Sequence, residues 1–393
     1  MTGRSFRVFA QHRCAVMFVV SAGFLSSCGT HPRLSAEPAS RSPLEPIEVT
    51  VLLLGDAGAS SPDGDPVLSA VAREASRRPH TTTILFLGDN IYPDGMPEVQ
   101  DPQRARSEQR LSAQLDVVAE SGARGIFVPG NHDWGKGGGE GWLRVLRQQN
   151  YIAARNLPMV SFLPSGGCPG PTAIDLSSRV RVVALDTQWW LDDDLPFVVP
   201  DSACPIKTTA AVLDSLGKLL AVGDGRDVMV MAHHPIESEG PRGGYFGLKD
   251  HLFPLRRVQS WLWVPLPIIG SIYPLVRKSG LRTQDLSSSR YRTMRRDLDS
   301  LFTVHRPFAM ATGHEHNLQV MRHSGAGYIF VSGAGMYDHS NPVRWSENTL
   351  FASAKSGYMV LDFLSDGRKR LAVVIVNENG AAHEAYSAWL ERD

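Results

Sequence analysis

Three stretches of this sequence repeat one design and decide how the rest is read. Ile47-Glu48-Val49-Thr50-Val51-Leu52-Leu53-Leu54 runs into Gly55-Asp56-Ala57-Gly58. Thr83-Ile84-Leu85-Phe86-Leu87 runs into Gly88-Asp89-Asn90-Ile91-Tyr92, and Gly125-Ile126-Phe127-Val128 runs into Pro129-Gly130-Asn131-His132-Asp133. Each is a short apolar run of β-forming residues that stops at a glycine followed by a polar, metal-competent side chain. Helical patterns separate them: Pro66–Arg77, then Arg104–Ser121 with Leu111, Leu115 and Val118 on one face. Strands alternating with helices predict βαβ units and an α/β fold. In open α/β sheets the carboxyl ends of the strands line the ligand crevice, so these polar residues are candidates for a single site.

The design continues downstream. After the glycine-rich loop Gly135–Gly141 the pattern predicts a helix over Trp142–Asn150, strands at Met159–Leu163, Ala173–Leu176 and Val180–Leu185, and a helix over Ile206–Val222. The apolar strand Asp227–Ala232 ends at His233-His234-Pro235. A helix over Ser287–Val304 precedes the strand Pro307–Thr312, which ends at Gly313-His314-Glu315-His316. Later strands are expected at Leu318–Arg322, Gly327–Ser332, Gly357–Leu364 and Arg370–Val376, antiparallel in part, with turns at Asp366-Gly367 and Asn379-Gly380.

Read singly, each polar residue has an ordinary explanation. His314 and His316 suit a surface turn, and Asp56 or Asp89 a helix cap. Tyr92 suits a packed aromatic, Asn131 a turn former, and His132 a partner for Asp133. Read together, five strand ends carry carboxylate, amide, phenol and imidazole groups, a set suited to hard or borderline metals. There are more ligands than one ion needs. A bridging carboxylate can hold two ions about 3.5–4 Å apart, the arrangement used for in-line phosphoryl displacement.

In this order, from Asp56 to Gly335, the blocks Gly55-Asp56-Ala57-Gly58, Gly88-Asp89-Asn90-Ile91-Tyr92, Gly130-Asn131-His132-Asp133, Val230-Met231-Ala232-His233 and Gly313-His314-Glu315-His316 resemble the calcineurin-like metallophosphoesterases. More narrowly they resemble purple acid phosphatases: Gly58 stands where many relatives carry a metal-binding histidine, and Tyr92 is present in the second block. His314–Gln319 and Val331-Ser332-Gly333-Ala334-Gly335 are similar to the small tartrate-resistant type. The resemblance implies a four-layer α/β/β/α sandwich of the metallophosphoesterase type. It implies that Asp56, Tyr92 and His316 hold one ion, typically Fe(III), that Asp89 bridges, and that Asn131, His233 and His314 hold Fe(II), Zn(II) or Mn(II). It assigns His132 to the leaving group and gives His234, beside the ligand His233, a neighbouring catalytic role; Glu315 is expected to point away from the metals. The implied activity is hydrolysis of phosphomonoesters by in-line attack of a metal-bound hydroxide. A phosphodiesterase or nucleotide pyrophosphatase using the same metals is the alternative within enzymes, and a non-catalytic surface binding protein the alternative outside them. One departure stands out: where the tartrate-resistant type has a further histidine, this chain reads Glu237-Ser238-Glu239-Gly240-Pro241-Arg242. Arg242 is either a bidentate phosphate ligand or a solvated loop residue. The substrate range and acid pH optimum of that type therefore do not transfer directly.

Composition sets the outer bounds. The chain has 393 residues with 40 Lys+Arg against 40 Asp+Glu, long enough for a large core and without an electrostatic case for nucleic acid. Arg4, Arg7 and Arg13 precede the apolar run Cys14–Leu25, which is short for a membrane span and suits a signal peptide over residues 1–27. Leu25-Ser26-Ser27-Cys28 resembles a bacterial lipoprotein box, implying lipidation of Cys28 and a domain anchored to a membrane surface, with Gly29 compatible with the outer membrane. Residues 28–46 read as a tether and 47–393 as the catalytic domain. Cys168 and Cys204 are either a disulfide, permitted by export, or two free thiols. An apolar insertion at about 243–286, containing Trp261-Leu262-Trp263-Val264-Pro265-Leu266-Pro267-Ile268-Ile269, is interrupted by prolines that forbid a regular membrane helix. It is either a cap packed on the domain or a surface that meets lipid, a partner or an apolar substrate group.

Overall fold

A computed structural model describes residues 46–60, 64–135, 137–192, 204–221, 225–257, 261–266 and 269–391. The signal peptide, Cys28, the tether up to residue 45, and Pro267 and Ile268 of the insertion lie outside the described residues. The first half contains β1 (Ile47–Leu54), α1 (Pro66–Ala75), β2 (Thr82–Phe86), α2 (Arg104–Ser121), β3 (Arg124–Phe127), α3 (Gly138–Ala154), β4 (Val160–Phe162), β5 (Thr172–Asp175), β6 (Val180–Ala184), α4 (Thr187–Leu191) and α5 (Thr209–Ala221). The second contains β7 (Asp227–Met231), α6 (Leu248–Leu252), α7 (Ile272–Lys278), α8 (Ser289–His305), β8 (Ala309–Thr312), β9 (Leu318–His323), β10 (Gly327–Ser332), β11 (Thr349–Ser353), β12 (Gly357–Leu364), β13 (Lys369–Val376) and β14 (Ala382–Leu390).

The strands form two mixed sheets, ordered β14-β13-β12-β1-β2-β3-β4 and β11-β9-β10-β8-β7-β6-β5. β1 to β4 run parallel in the first, as do β6, β7, β8 and β10 in the second; the outer strands are antiparallel. β1 shows why its sequence is continuously apolar rather than alternating. Val49, Val51 and Leu53 join the core between the sheets, while Leu52 and Leu54 join the core shared with the helices. A strand covered on both faces has no side to give to water. The inter-sheet core contains strand residues such as Leu85, Ile126, Met229 and Ala311, whereas Leu111, Leu115 and Val118 of α2 and Leu298 and Phe302 of α8 close the outer layers. This is the expected α/β/β/α sandwich.

Local chemistry sets the helix ends. The Asp65 side chain accepts from Val67 N and Leu68 N, with Pro66 at the first helical position of α1. Ser288 caps α8 through Tyr291 N, and Gly122 ends α2 with φ +71°. Five elements escape the sequence reading: α4, α6, α7, β11 and β14. Ala-His-Glu-Ala-Tyr-Ser-Ala-Trp-Leu of β14 is an edge strand, half exposed, and its identity comes from pairing with β13. Helix α5 begins at Thr209, three residues later than expected.

Cys168 and Cys204 form a disulfide, which resolves the choice between a bridge and free thiols; the two cysteines are separated by 36 positions. Closing a loop of that length restricts the unfolded chain. Replacing both cysteines by serine is expected to lower stability by about 2–4 kcal/mol, read as a fall in the urea midpoint; an unchanged midpoint would show the bridge to be energetically idle.

Candidate metal centre

The five blocks converge. Asp56 follows β1, Asp89 and Tyr92 follow β2, Asn131 and His132 follow β3, His233 follows β7, and His314 and His316 follow β8. Three of these residues, Asp56, Asp89 and His314, adopt positive φ of 59°, 54° and 68°. Left-handed backbone at non-glycine residues is strained and concentrates at functional sites. Here it bends each chain sharply off its strand, so that the side chain turns back across the sheet ends.

Two carboxylates are used in the same way. Asp56 accepts from His314 N through Oδ2 (2.8 Å) and presents Oδ1 to the Tyr92 hydroxyl (3.0 Å) and His316 Nε2 (3.3 Å). Asp89 accepts from His132 N through Oδ1 (2.8 Å) and presents Oδ2 to the Tyr92 hydroxyl (3.2 Å) on one side and His233 Nε2 (3.4 Å) on the other. Tyr92 Oη and His316 Nε2 are 3.0 Å apart. Asn131 Oδ1 lies 3.1 Å from His233 Nε2 and 2.9 Å from His314 Nδ1, and the two ring nitrogens are 3.3 Å apart. The donor atoms thus fall into two groups, Asp56–Tyr92–His316 and Asn131–His233–His314, with Asp89 Oδ2 touching both.

The histidine tautomers make the second group distinctive. His233 Nδ1 meets the Leu87 carbonyl at 2.8 Å and His314 Nε2 meets the Gln284 carbonyl at 2.9 Å. A carbonyl only accepts, so each ring places a proton on the outer nitrogen and turns the inner nitrogen toward the site; burial keeps His314 neutral, with a lone pair on Nδ1, while the inner proton of His233 is one a cation would displace. Those inner nitrogens and the Asn131 oxygen then face one another at hydrogen-bond distance. Ligands about 2.0–2.2 Å from a common ion stand about 3.0–3.4 Å apart from each other, so the spacing fits a cation at their centre. The electrostatics agree. Burial by itself would depress His233, but the adjacent Asp89 charge outweighs it and holds the ring at about 9. Burial raises Tyr92 well above the ordinary phenol, and the Asp56 and Asp89 charges add to the rise. These carboxylates therefore favour positive charge in both groups.

Glycines let the blocks approach. A Cβ on Gly58 would stand 2.3 Å from the Asn90 carbonyl carbon and 2.4 Å from Asp89 O. Tyr92 N donates to Gly58 O at 3.0 Å. The backbone of the first block thus occupies the space a side chain at 58 would need, and this close approach brings Tyr92 to Asp56. A Cβ on Gly130 would meet Asp89 Oδ1 at 2.3 Å.

Around the donors stands a supporting layer. Asp133 is buried and accepts from Gly130 N (2.7 Å), Ile91 N (3.0 Å) and Asn90 N (3.1 Å), tying the second block to the third. Burial pushes its carboxyl up to about 7, with the Asp89 charge adding to the effect. It does not pair with His132, whose Nδ1 meets the Pro93 carbonyl and whose half-exposed ring lies beside Tyr92, centroids 4.3 Å apart. Glu315 points away from the donor groups, as expected: its Oε1 accepts from Arg242 N (2.6 Å), Ser238 Oγ (3.0 Å) and Gly243 N (3.1 Å). His339, from the loop after β10, lies against His316 with ring centroids 4.5 Å apart and meets Tyr92 edge-on at 6.3 Å. It lies in Asp338-His339-Ser340-Asn341, a turn-like stretch with no spacing signal to single it out.

His234 is fully buried, with Nδ1 on Thr187 Oγ1 (2.9 Å) and Nε2 on Gln284 Oε1 (2.8 Å). Both ring nitrogens are engaged by protein: His234 meets the side chain of Gln284, whose backbone carbonyl meets His314 Nε2. Arg242 is only partly exposed. Its guanidinium stands 3.8 Å from Asp285, and its charge bears on His314 and Glu315.

Fold and donor set define a site whose residues could hold metal ions at the carboxyl ends of parallel strands. The chain belongs to the calcineurin-like phosphoesterase family, whose model matches residues 49–330. No curated protein sequence matches it. Among solved structures it is similar to GAP50, the anchor in the inner membrane complex of Plasmodium, at 16% identity and TM-score 0.52, covering 88% of this chain and 90% of that one. It is also similar to purple acid phosphatase PPD1 from yellow lupin (Lupinus luteus) seeds, at 15% identity and TM-score 0.52, covering 88% of this chain and 54% of that one. At these identities the likeness is one of fold.

The packing at Gly58 is directly testable. Gly58→Ala is expected to part the first two blocks, costing about 1–3 kcal/mol and lowering the bound-metal content of purified protein. Unchanged metal content and urea midpoint would show the contact to be slack.

Proposed function

We propose that this chain is a binuclear metal-dependent phosphomonoesterase of the purple acid phosphatase type. The observation that carries the reading is Asp89 Oδ2, shared between a tyrosine-containing donor group and an Asn–His–His group. Asp56, Tyr92 and His316 would hold the first ion, Asn131, His233 and His314 the second, and Asp89 both. The phenol in the first set favours Fe(III); the second suits Fe(II), Zn(II) or Mn(II). When bound, such a pair polarises a phosphoryl oxygen and yields a nucleophile from water at neutral pH.

The chain's own residues do the remaining work. Leu87 and Gln284 hold the outer protons of His233 and His314, keeping the inner nitrogens basic. His132, half exposed beside Tyr92, would protonate a leaving-group oxygen. Arg242 supplies positive charge for a phosphate oxygen from the loop that Glu315 secures. Export and a lipid anchor at Cys28 belong to the same reading and rest on the N-terminal sequence.

Purified protein is expected to contain close to two metal ions per chain and to hydrolyse p-nitrophenyl phosphate faster than its bis-ester. The reverse preference would favour a phosphodiesterase or nucleotide pyrophosphatase. Protein that takes up no metal and cleaves neither ester would be a binding protein on the same fold, a reading that the description of GAP50 as an anchor supports. Asp89→Ala is expected to abolish both metal occupancy and turnover, because it removes the ligand common to both groups; retained activity would overturn the two-ion reading. A visible charge-transfer band lost in Tyr92→Phe would identify ferric iron, while a colourless active enzyme would exclude it.

A further inference from the structure

The insertion at 243–286 wears its apolar side chains on the outside. Of 13 exposed large hydrophobic side chains among the described residues, nine lie between Leu248 and Leu281. Trp261 is 71% exposed and Leu281 76%, with Trp263, Ile269, Ile272 and Leu275 also open to solvent. These residues share one small module. Leu266 N donates to Leu252 O and Gly270 N to Leu266 O, tying Leu266 to the end of α6, while the Phe253 ring packs edge-on against Trp263 at 5.3 Å. The expectation of a packed cap is therefore met only on its inner side. Ordinary surfaces scatter large apolar residues singly; a concentration of this kind marks a face that something covers.

Charge identifies what covers it. Residues 243–286 carry six Lys+Arg against two Asp+Glu, leaving 34 against 38 in the remainder of a chain that is neutral overall. One of the two acids, Asp285, is buried and paired with Arg277. Lys249, Lys278 and Arg282 are exposed. Tryptophan and aliphatic residues bordered by cations are the composition of segments that lie in the interface of an anionic bilayer. A second copy fits poorly, because a two-fold contact would set this basic face against itself. Crossing the bilayer is not at issue: among the described residues no helix is long and apolar enough to span a membrane.

We propose that the module spanning α6 to α7 is a lipid-contacting surface, seated in the headgroup region of an anionic membrane through Trp261, Trp263 and neighbouring aliphatic side chains. The stem of this module also supports the candidate metal centre. Gln284 holds His314 and His234, and Asp285 binds Arg277 beside it. A docked module therefore places the centre close to the lipid surface.

The test uses the full chain on vesicles of phosphatidylethanolamine and phosphatidylglycerol (3:1) with brominated acyl chains, which quench tryptophan on contact. Quenching is expected in the parent protein and should be lost in Trp261→Phe/Trp263→Phe, a pair of exposed substitutions that spare the fold. It should fall severalfold in Lys249→Gln/Lys278→Gln/Arg282→Gln, and for the parent on vesicles of phosphatidylcholine alone. Equal quenching in the parent and the double-phenylalanine variant would overturn the proposal, since membrane attachment elsewhere would then account for the signal. A shift from dimer to monomer in Trp261→Ser/Trp263→Ser, with no quenching in the parent, would assign the face to a second copy and reject the lipid.

Discussion

The structure depends on the placement of one carboxylate. Asp89 is 1% exposed, and it is held by one oxygen to a backbone N–H of the third block while the other oxygen stands between a phenol and an imidazole. An isolated buried carboxylate is costly, and its position is tenable because positive charge gathers around it. The adjacent imidazole held at about 9 by Asp89 is one expression of that demand. A cation within the donor groups would answer it more completely, because it would also engage the His314 inner nitrogen and the Asn131 oxygen, which carry no proton of their own. Stability and function thus draw on the same charges, and metal binding would add to folding free energy.

Holding five chain segments against one point requires struts, and the struts are buried acids used for geometry. Asp133 fastens the second block to the third, and Glu315 fastens the fifth block to the start of the insertion. The strained φ values at Asp56, Asp89 and His314 are kept in place by these contacts and by the two sheets beneath. Gln284 extends the same framework into the insertion. Its carbonyl fixes a tautomer at the candidate centre, and its side chain meets His234 and Gln188. The apolar module is in this way mechanically continuous with the candidate site.

Much of this was legible in the chain itself. Strand-end glycines followed by Asp56, Asp89 and Asn131 pointed to one crevice because parallel strands end on one side of a sheet. The helix over Arg104–Ser121 was read with both ends correct, since a glycine closes it and its apolar face is regular. Other features depended on partners far away in sequence. His233 and His234 are adjacent and chemically identical, and their roles separate only because Leu87 and Asn131 meet the first while Thr187 and Gln284 meet the second. His339 carries no pattern, and β14 becomes a strand by lying against β13. The insertion's prolines excluded a membrane helix, yet they could not say which side of the segment would face outward.

What the sequence alone determined was the inventory and its order: which chemical groups stand at which strand ends, and therefore a phosphoesterase-type α/β sandwich with metal-competent residues on one edge. Periodicity and glycine placement are local properties, and local properties are readable one segment at a time. What only the tertiary structure decided was the division of labour among those groups. Which oxygen of Asp89 faces the donors, which nitrogen of each histidine is free, why position 58 admits no side chain, and which face of the insertion is left bare are all set by contacts across tens to hundreds of residues. Those contacts exist only once the two sheets have closed on one another.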